Sequence, residues 1–128
     1  MREIHDHKSL LEGDASDQIR VFSMDEPGPG NACHEYIVSL RDPADDSPLE
    51  NMADVVFQKG PLQENTFNGC SNESILAIVA DRLKGFQSGP YACRENAMAL
   101  TKIQEAIMWL HFRTKARAAR GVEGTSKS

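Results

Sequence analysis

The 128-residue sequence predicts an α+β fold: a small N-terminal antiparallel sheet over residues 1–70, followed by a C-terminal two-helix hairpin over residues 71–128. Three observations predict it. The first half holds short runs of β-forming side chains separated by turns rich in Gly, Pro and Asp, with no helical pattern between them to serve as a parallel crossover. The second half holds two helical patterns divided by Ser88-Gly89-Pro90. Strands first and helices last is an α+β order.

Taken in order, residues 1–18 are polar and poorly patterned, and read as a frayed arm. His5-Asp6-His7 offers two imidazoles, but a metal needs a third converging ligand that the neighbouring residues do not supply. Ile19 to Met24 alternates as a short strand. Asp25-Glu26-Pro27-Gly28-Pro29-Gly30-Asn31 is dense in turn residues and reads as a hairpin connection; its two prolines remove N–H donors that a phosphate-binding nest would require. Ala32 to Leu40 is the best strand, with Tyr36, Ile37 and Val38. Arg41 to Asn51 is an acidic, proline-containing loop. Ala53 to Gln58 is a third strand, stopped by Lys59-Gly60-Pro61, and Leu62 to Cys70 is a connector.

Ser71 or Asn72 caps a first helix from Glu73 to about Phe86, with Ile75, Leu76, Ile78, Val79 and Leu83 as its apolar stripe. The long helix spans about Cys93 to Arg120, and Gly121, preceded by basic residues, has the position of a C-terminal stop. Ala97, Leu100, Ile103, Ile107 and Leu110 recur at three- and four-residue spacing, so they share one face. Met98, Met108, Trp109 and Phe112 fall outside that stripe. The helix therefore carries more apolar surface than a two-helix hairpin can cover, and self-association is its natural use.

Composition narrows the function. No stretch approaches the roughly 20 apolar residues of a membrane span, and the N-terminal residues lack the apolar run of a signal peptide, so a soluble intracellular protein is expected. Cys33, Cys70 and Cys93 are odd in number and without a C-x-x-C pair; they read as small hydrophobes rather than a disulfide or zinc framework. The net charge of −5 divides unevenly: residues 1–70 carry five Lys/Arg against fourteen Asp/Glu, or −9, and residues 71–128 carry nine against five, or +4. An anion is expected on the second half. Arg113, Lys115, Arg117 and Arg120 have no acidic residue among them. Either they are a solvated helix end complementing the macrodipole, or Arg113 and Arg117, four apart, present two guanidinium forks to a phosphate.

The residues offer no recognisable covalent machinery. There is no Walker loop, G-x-G-x-x-G, H-E-x-x-H or paired H-x-T. His34 and Glu35 are adjacent in a strand and point to opposite faces, and His111 stands alone at a basic helix end. A binding protein is favoured over an enzyme. Two other classes remain open: a small nucleic-acid-binding protein using the basic helix end, and a hydrolase whose site is not recognisable.

The segments DEPGPGNACHEYIV, VVFQKGPLQENTFNGCSNE, LKGFQSGPYACRENAMALTKIQEAIMWL and RTKARAARGVEGT resemble the Thoeris anti-defence sponges of phages, which share a helical-hairpin module with the anti-CBASS cyclic-nucleotide sponges. The resemblance covers roughly residues 20–125 and is most specific over Gly85 to Thr125. It implies a phage- or prophage-encoded protein of the host cytoplasm that is not an enzyme, needs no cofactor, touches no membrane and binds no nucleic-acid polymer. Its partners would be glycocyclic ADP-ribose isomers and cyclic trinucleotides, sequestered intact by a homo-oligomer built from dimers, up to a hexamer. Carried over by motif, the ADP-ribose-type pocket implies Phe86 and Asn96 of GFQSGPYACREN, with Arg113 from the long helix and a basic strand-end residue, here Lys59. The cyclic trinucleotide site implies Arg113 and Arg117. The residue types suit these roles: Phe86 offers a π face to adenine, Asn96 a donor and an acceptor to a base or ribose edge, and arginine a fork to phosphate. Without the resemblance, Phe86 would read as core and Asn96 as a helix-cap residue.

Overall fold

A computed structural model of the chain describes residues 1–8, 17–42 and 44–126. It is α+β. Four strands, β1 (Arg2–Ile4), β2 (Ile19–Ser23), β3 (Glu35–Arg41) and β4 (Pro48–Val56), precede two helices, α1 (Asn72–Gln87) and α2 (Arg94–Ala119). The chain divides into two units, Met1–Lys59 and Gly60–Ser128.

In the first unit the strands form one antiparallel meander in the order β1-β2-β3-β4. Its centre is the β2–β3 ladder, where Val21 pairs with Val38 and Phe22 with Ile37. Phe22 is 6% exposed, and the Arg41 guanidinium lies 4.8 Å from its ring centroid. Ser23 and Ser39 are more deeply buried still. Tyr36 meets Phe57 edge to face at 5.8 Å. The outer strand β4 is largely exposed, with Leu49 and Met52 among its uncovered side chains.

Three expectations are corrected here. The frayed arm is overturned at its start: residues 2–4 are a strand, because Glu3 and Arg20 form a two-point ion pair across the β1–β2 ladder, with Arg20 Nε donating to Glu3 Oε1 at 2.6 Å. Residues 9–16 of that arm lie outside the described residues. β3 begins at Glu35 rather than Ala32, since the Asp25 carboxylate accepts the backbone N–H groups of His34 (3.0 Å) and Glu35 (3.1 Å) before pairing starts. β4 begins at Pro48 rather than Ala53; a proline is tolerated at the first position of an edge strand, where its missing donor interrupts no central ladder. Register shifts at Val38/Ser39 and Leu40/Arg41 break the alternation that would have marked it.

The second unit is built on the α1–α2 hairpin. Ser71 and Ser74 form a reciprocal capping box at the start of α1, each side chain bonding the other's N–H at 3.1 Å. Ala80 is 4% exposed; its small side chain is fully covered, while the flanking Leu76 and Leu83 and the facing Leu100, Ile103, Ile107 and Leu110 are half buried. Ile78, expected in the buried stripe, is 66% exposed: at 100° per residue it lies about 200° around the helix from Leu76. α2 ends as expected at Gly121, whose φ of 72° lets Val122 N–H reach the Arg117 carbonyl at 3.0 Å. The residues after it fold back onto the connector: Gln63 N–H donates to Gly124 O at 2.8 Å, and Gln63 Nε2 to Glu123 O at 2.8 Å. Among the described residues no helix is long and apolar enough to cross a membrane.

Candidate functional site

The turn between α1 and α2 gathers the first group of candidate residues. α1 closes with the Ser88 hydroxyl and N–H on the Gly85 carbonyl (2.8 and 3.2 Å), and Gly89 N–H follows onto the Phe86 carbonyl at 3.2 Å. That tight ending sets Phe86 on the last turn of α1 beside the loop. Its half-buried ring meets Tyr91 edge to face at 6.1 Å, while the Arg82 guanidinium, one helical turn earlier, lies 4.9 Å from its centroid. Phe86 is thus half buried and takes contacts from both Arg82 and Tyr91.

Asn96 is drawn into the same cluster through the loop backbone. Cys93 caps α2, its Sγ accepting Asn96 N–H at 3.4 Å, and Cys93 N–H donates to Gln87 Oε1 at 3.0 Å. The Asn96 side-chain amide donates to Tyr91 O at 3.5 Å, a long contact that leaves its carbonyl oxygen for a ligand. The cap that a sequence reading would give to Asn96 belongs instead to Cys93. Tyr91, Arg82 and Gln87 were not singled out from the sequence. Arg82 stands four residues before Phe86, the helical spacing that would have identified it.

The basic end of α2 holds the second group, and its two arginines differ. Arg113 is exposed, and among the described residues no carboxylate or hydrogen-bond acceptor engages it. Arg117 is inward: its Nη2 donates to the carbonyls of Val122 (3.0 Å) and Thr125 (2.9 Å), and its Nε to Glu123 Oε2 at 3.2 Å. Only 12% of its side chain is exposed. Arg117 braces the C-terminal turn; its Nη1 makes no hydrogen bond among the described residues.

Distance along α2 separates the two groups. Asn96 and Arg113 stand seventeen positions apart, about 25 Å at 1.5 Å per residue. One chain cannot wrap both around one small nucleotide. Lys59 belongs to the first unit, where it is exposed; its Cε lies 3.5 Å from where a side chain on Gly28 would begin, beside the buried His34 ring. His34 Nδ1 has no hydrogen-bond partner and stands 3.9 Å from Asp25 Oδ2. Burial opposes the Asp25 charge, but the N–H groups of Glu35 and His34 together outweigh it and hold its carboxyl below the usual range. Among the described residues no three His, Cys, Asp or Glu side chains converge as metal ligands.

Two comparisons bear on this arrangement. The Acb2/Tad1 hairpin domain matches residues 52–114, which run from β4 through the turn cluster to Thr114. Thoeris anti-defense 1 of Bacillus phage SBSphiJ7 is 54% identical over 74 residues, 58% of this chain and 52% of that protein. The chain therefore spans about half the length of this curated relative. The chain is thus similar to Thoeris anti-defence proteins over a stretch that carries the whole of the Phe86 cluster and Arg113, while Arg117 lies beyond the residues matched to the hairpin domain.

Proposed function

We propose that the protein is a phage anti-defence sponge of the host cytoplasm, which binds cyclic nucleotide immune signals and holds them without cleaving them. The ligands are glycocyclic ADP-ribose isomers at the Phe86 cluster and cyclic trinucleotides at the Arg113 end. The observation that supports this best is the composition of the turn cluster: an aromatic face, an amide edge and a cation lie together, and among the described residues no acid–base or nucleophile–base hydrogen bond joins them. That set recognises a nucleotide and has little with which to break one.

The ADP-ribose-type pocket takes Phe86 and Asn96 from one chain and Arg113 from another. The exposed apolar residues of α2 favour this. Met98 and Phe112 are 51% and 49% exposed, and Trp109 67%. They lie on the face opposite Ile103 and Leu110. An antiparallel pairing of two α2 helices that sets Met98 against the partner's Phe112 brings the partner's Arg113 level with Ala97, one residue from Asn96. The same pairing covers the apolar face. Three such dimers around a three-fold axis would set one Arg113 toward each phosphate of a cyclic trinucleotide, with Arg117 bracing the turn behind it and offering Nη1.

The test is direct. Purified protein is incubated with a cyclic ADP-ribose isomer or a cyclic trinucleotide, freed of unbound nucleotide, denatured, and its released nucleotide examined. Intact ligand in near-stoichiometric amount is expected. Cleaved product would make the protein an enzyme, and absence of uptake of either ligand, with retention of a single-stranded oligonucleotide, would make it a nucleic-acid binder.

A further inference from the structure

From the geometry around Phe86 we infer that Arg82 is a further ligand-binding residue, the one that pairs with a phosphate of the ADP-ribose-type ring. The inference rests on the turn cluster being the nucleotide site. Arg82 stands one helical turn before Phe86 on α1, and its guanidinium sits over the Phe86 ring at 4.9 Å. Among the described residues no carboxylate pairs with it and no carbonyl accepts from it. Other cations of the described residues are answered by carboxylates, among them Arg20 by Glu3 and Asp46, Arg117 by Glu123 and Lys102 by Glu105. A guanidinium held by a π face instead of an anion keeps its full charge and all five N–H donors for an incoming group.

The ligand chemistry requires such a group. An ADP-ribose-type ring carries a pyrophosphate a few bonds from its adenine, so a base stacked on Phe86 brings its phosphates within reach of a long side chain rooted one turn away on the same helix. The guanidinium and the base compete for the Phe86 face. When the base takes that face, the guanidinium leaves it and turns its planar fork to the phosphate, exchanging a ring contact for a charge-assisted two-point hydrogen bond. Tyr91, 72% exposed and perpendicular to Phe86, keeps the ring from following. Arg82 also stands near the C-terminal end of α1, where the helix dipole is negative and would repel a phosphate unless a cation were present.

Cyclic ADP-ribose is titrated calorimetrically into the wild-type protein, Arg82→Gln and Arg82→Lys at two salt concentrations. Arg82→Gln is expected to bind at least ten-fold more weakly and with a shallower salt dependence, because one screened ion pair is gone. Arg82→Lys should restore the salt dependence and only part of the affinity, since lysine supplies the charge without the fork. Unchanged affinity in Arg82→Gln, or an equal loss in both variants with the wild-type salt dependence kept, overturns the inference while the sponge reading stands. Wild-type protein that takes up no cyclic ADP-ribose overturns both. Thermal melting of each variant at the wild-type temperature shows that the losses are local.

Discussion

Phe86 shows how a single side chain can look like core in sequence and serve as a surface in the fold. Its spacing matches the apolar pattern of α1, yet its half-buried ring meets Arg82 and Tyr91. Phe86→Ala should therefore leave the thermal melt nearly unchanged and weaken binding of a cyclic ADP-ribose isomer by about 1–3 kcal/mol, the usual cost of a lost base–aromatic stack; an unfolded variant would place Phe86 in the core after all. Arg117 is the opposite case. Its charge suggested a ligand contact, but three hydrogen bonds tie it to Val122, Glu123 and Thr125, an arrangement invisible until the chain turns back at Gly121. Arg117→Ala should cost about 1.5–3 kcal/mol of stability in the second unit and speed amide exchange over residues 121–126 even without ligand, whereas Arg113→Ala should cost none. Glu3 responds to pH. The hydrogen bond from Arg20 holds its carboxyl below the usual carboxylate range against a smaller opposing effect of burial. A carboxyl whose folded-state pKa is lowered contributes its full stability above its unfolded-state value, about 4.3, and loses it as pH falls through the lowered folded-state value. Acid should therefore release β1, seen as faster exchange at Val21, and Glu3→Gln should show that fast exchange already at neutral pH.

The elements divide by how much of their stabilisation is local. α1 and α2 were legible to within a residue or two because caps, periodicity and stop signals lie within each helix: Ser71 before α1, Cys93 before α2, Gly121 after it. Removing such a signal has a matching cost, and Ser71→Ala should lower the stability of the hairpin unit by about 1 kcal/mol, read from the denaturation midpoint. The strands depend on partners distant in sequence. β2 and β3 carry enough β-forming side chains to stand out, but β1 is three residues long and exists through Glu3 and Arg20, seventeen positions apart. The first part of β4 was read as an acidic loop because Pro48, Glu50 and Asn51 are poor strand residues; the ladder with β3 overrides that preference. The same composition protects the exposed edge. Two β4 strands pairing antiparallel about Met52 would set Glu50 opposite the partner's Asp54, a like-charge pair that discourages edge-to-edge association.

At the scale of the whole molecule, the sequence supplied the residues of the candidate site but not their separation. Phe86, Asn96 and Arg113 read as one pocket only while the helix is treated as a string of motifs; drawn at 1.5 Å per residue, α2 carries Arg113 about 25 Å from Asn96. In the proposed pairing through the exposed Met98, Trp109 and Phe112, a second chain would give the missing distance back, and that arrangement makes a prediction that no single-chain pocket shares. Asn96→Ala and Arg113→Ala should each abolish tight binding of a cyclic ADP-ribose isomer when made alone, since each removes one half of every pocket. Co-expressed in equal amounts with different affinity tags, the two variants form mixed dimers in which one pocket carries both defects and the other carries neither. If each pocket is shared by two chains, the mixture should regain about a quarter of wild-type capacity, and the doubly tagged fraction about half, at wild-type affinity. A pocket lined by one chain would give no recovery in any fraction. Adding Trp109→Glu to both variants places a charge in the apolar face and should remove the mixed dimers and the recovered binding together, while the helical signal of the chain persists. A light-scattering mass near that of a single 14.2 kDa chain for otherwise wild-type protein at micromolar concentration, with tight nucleotide binding retained, would return the whole site to one chain and defeat the shared pocket.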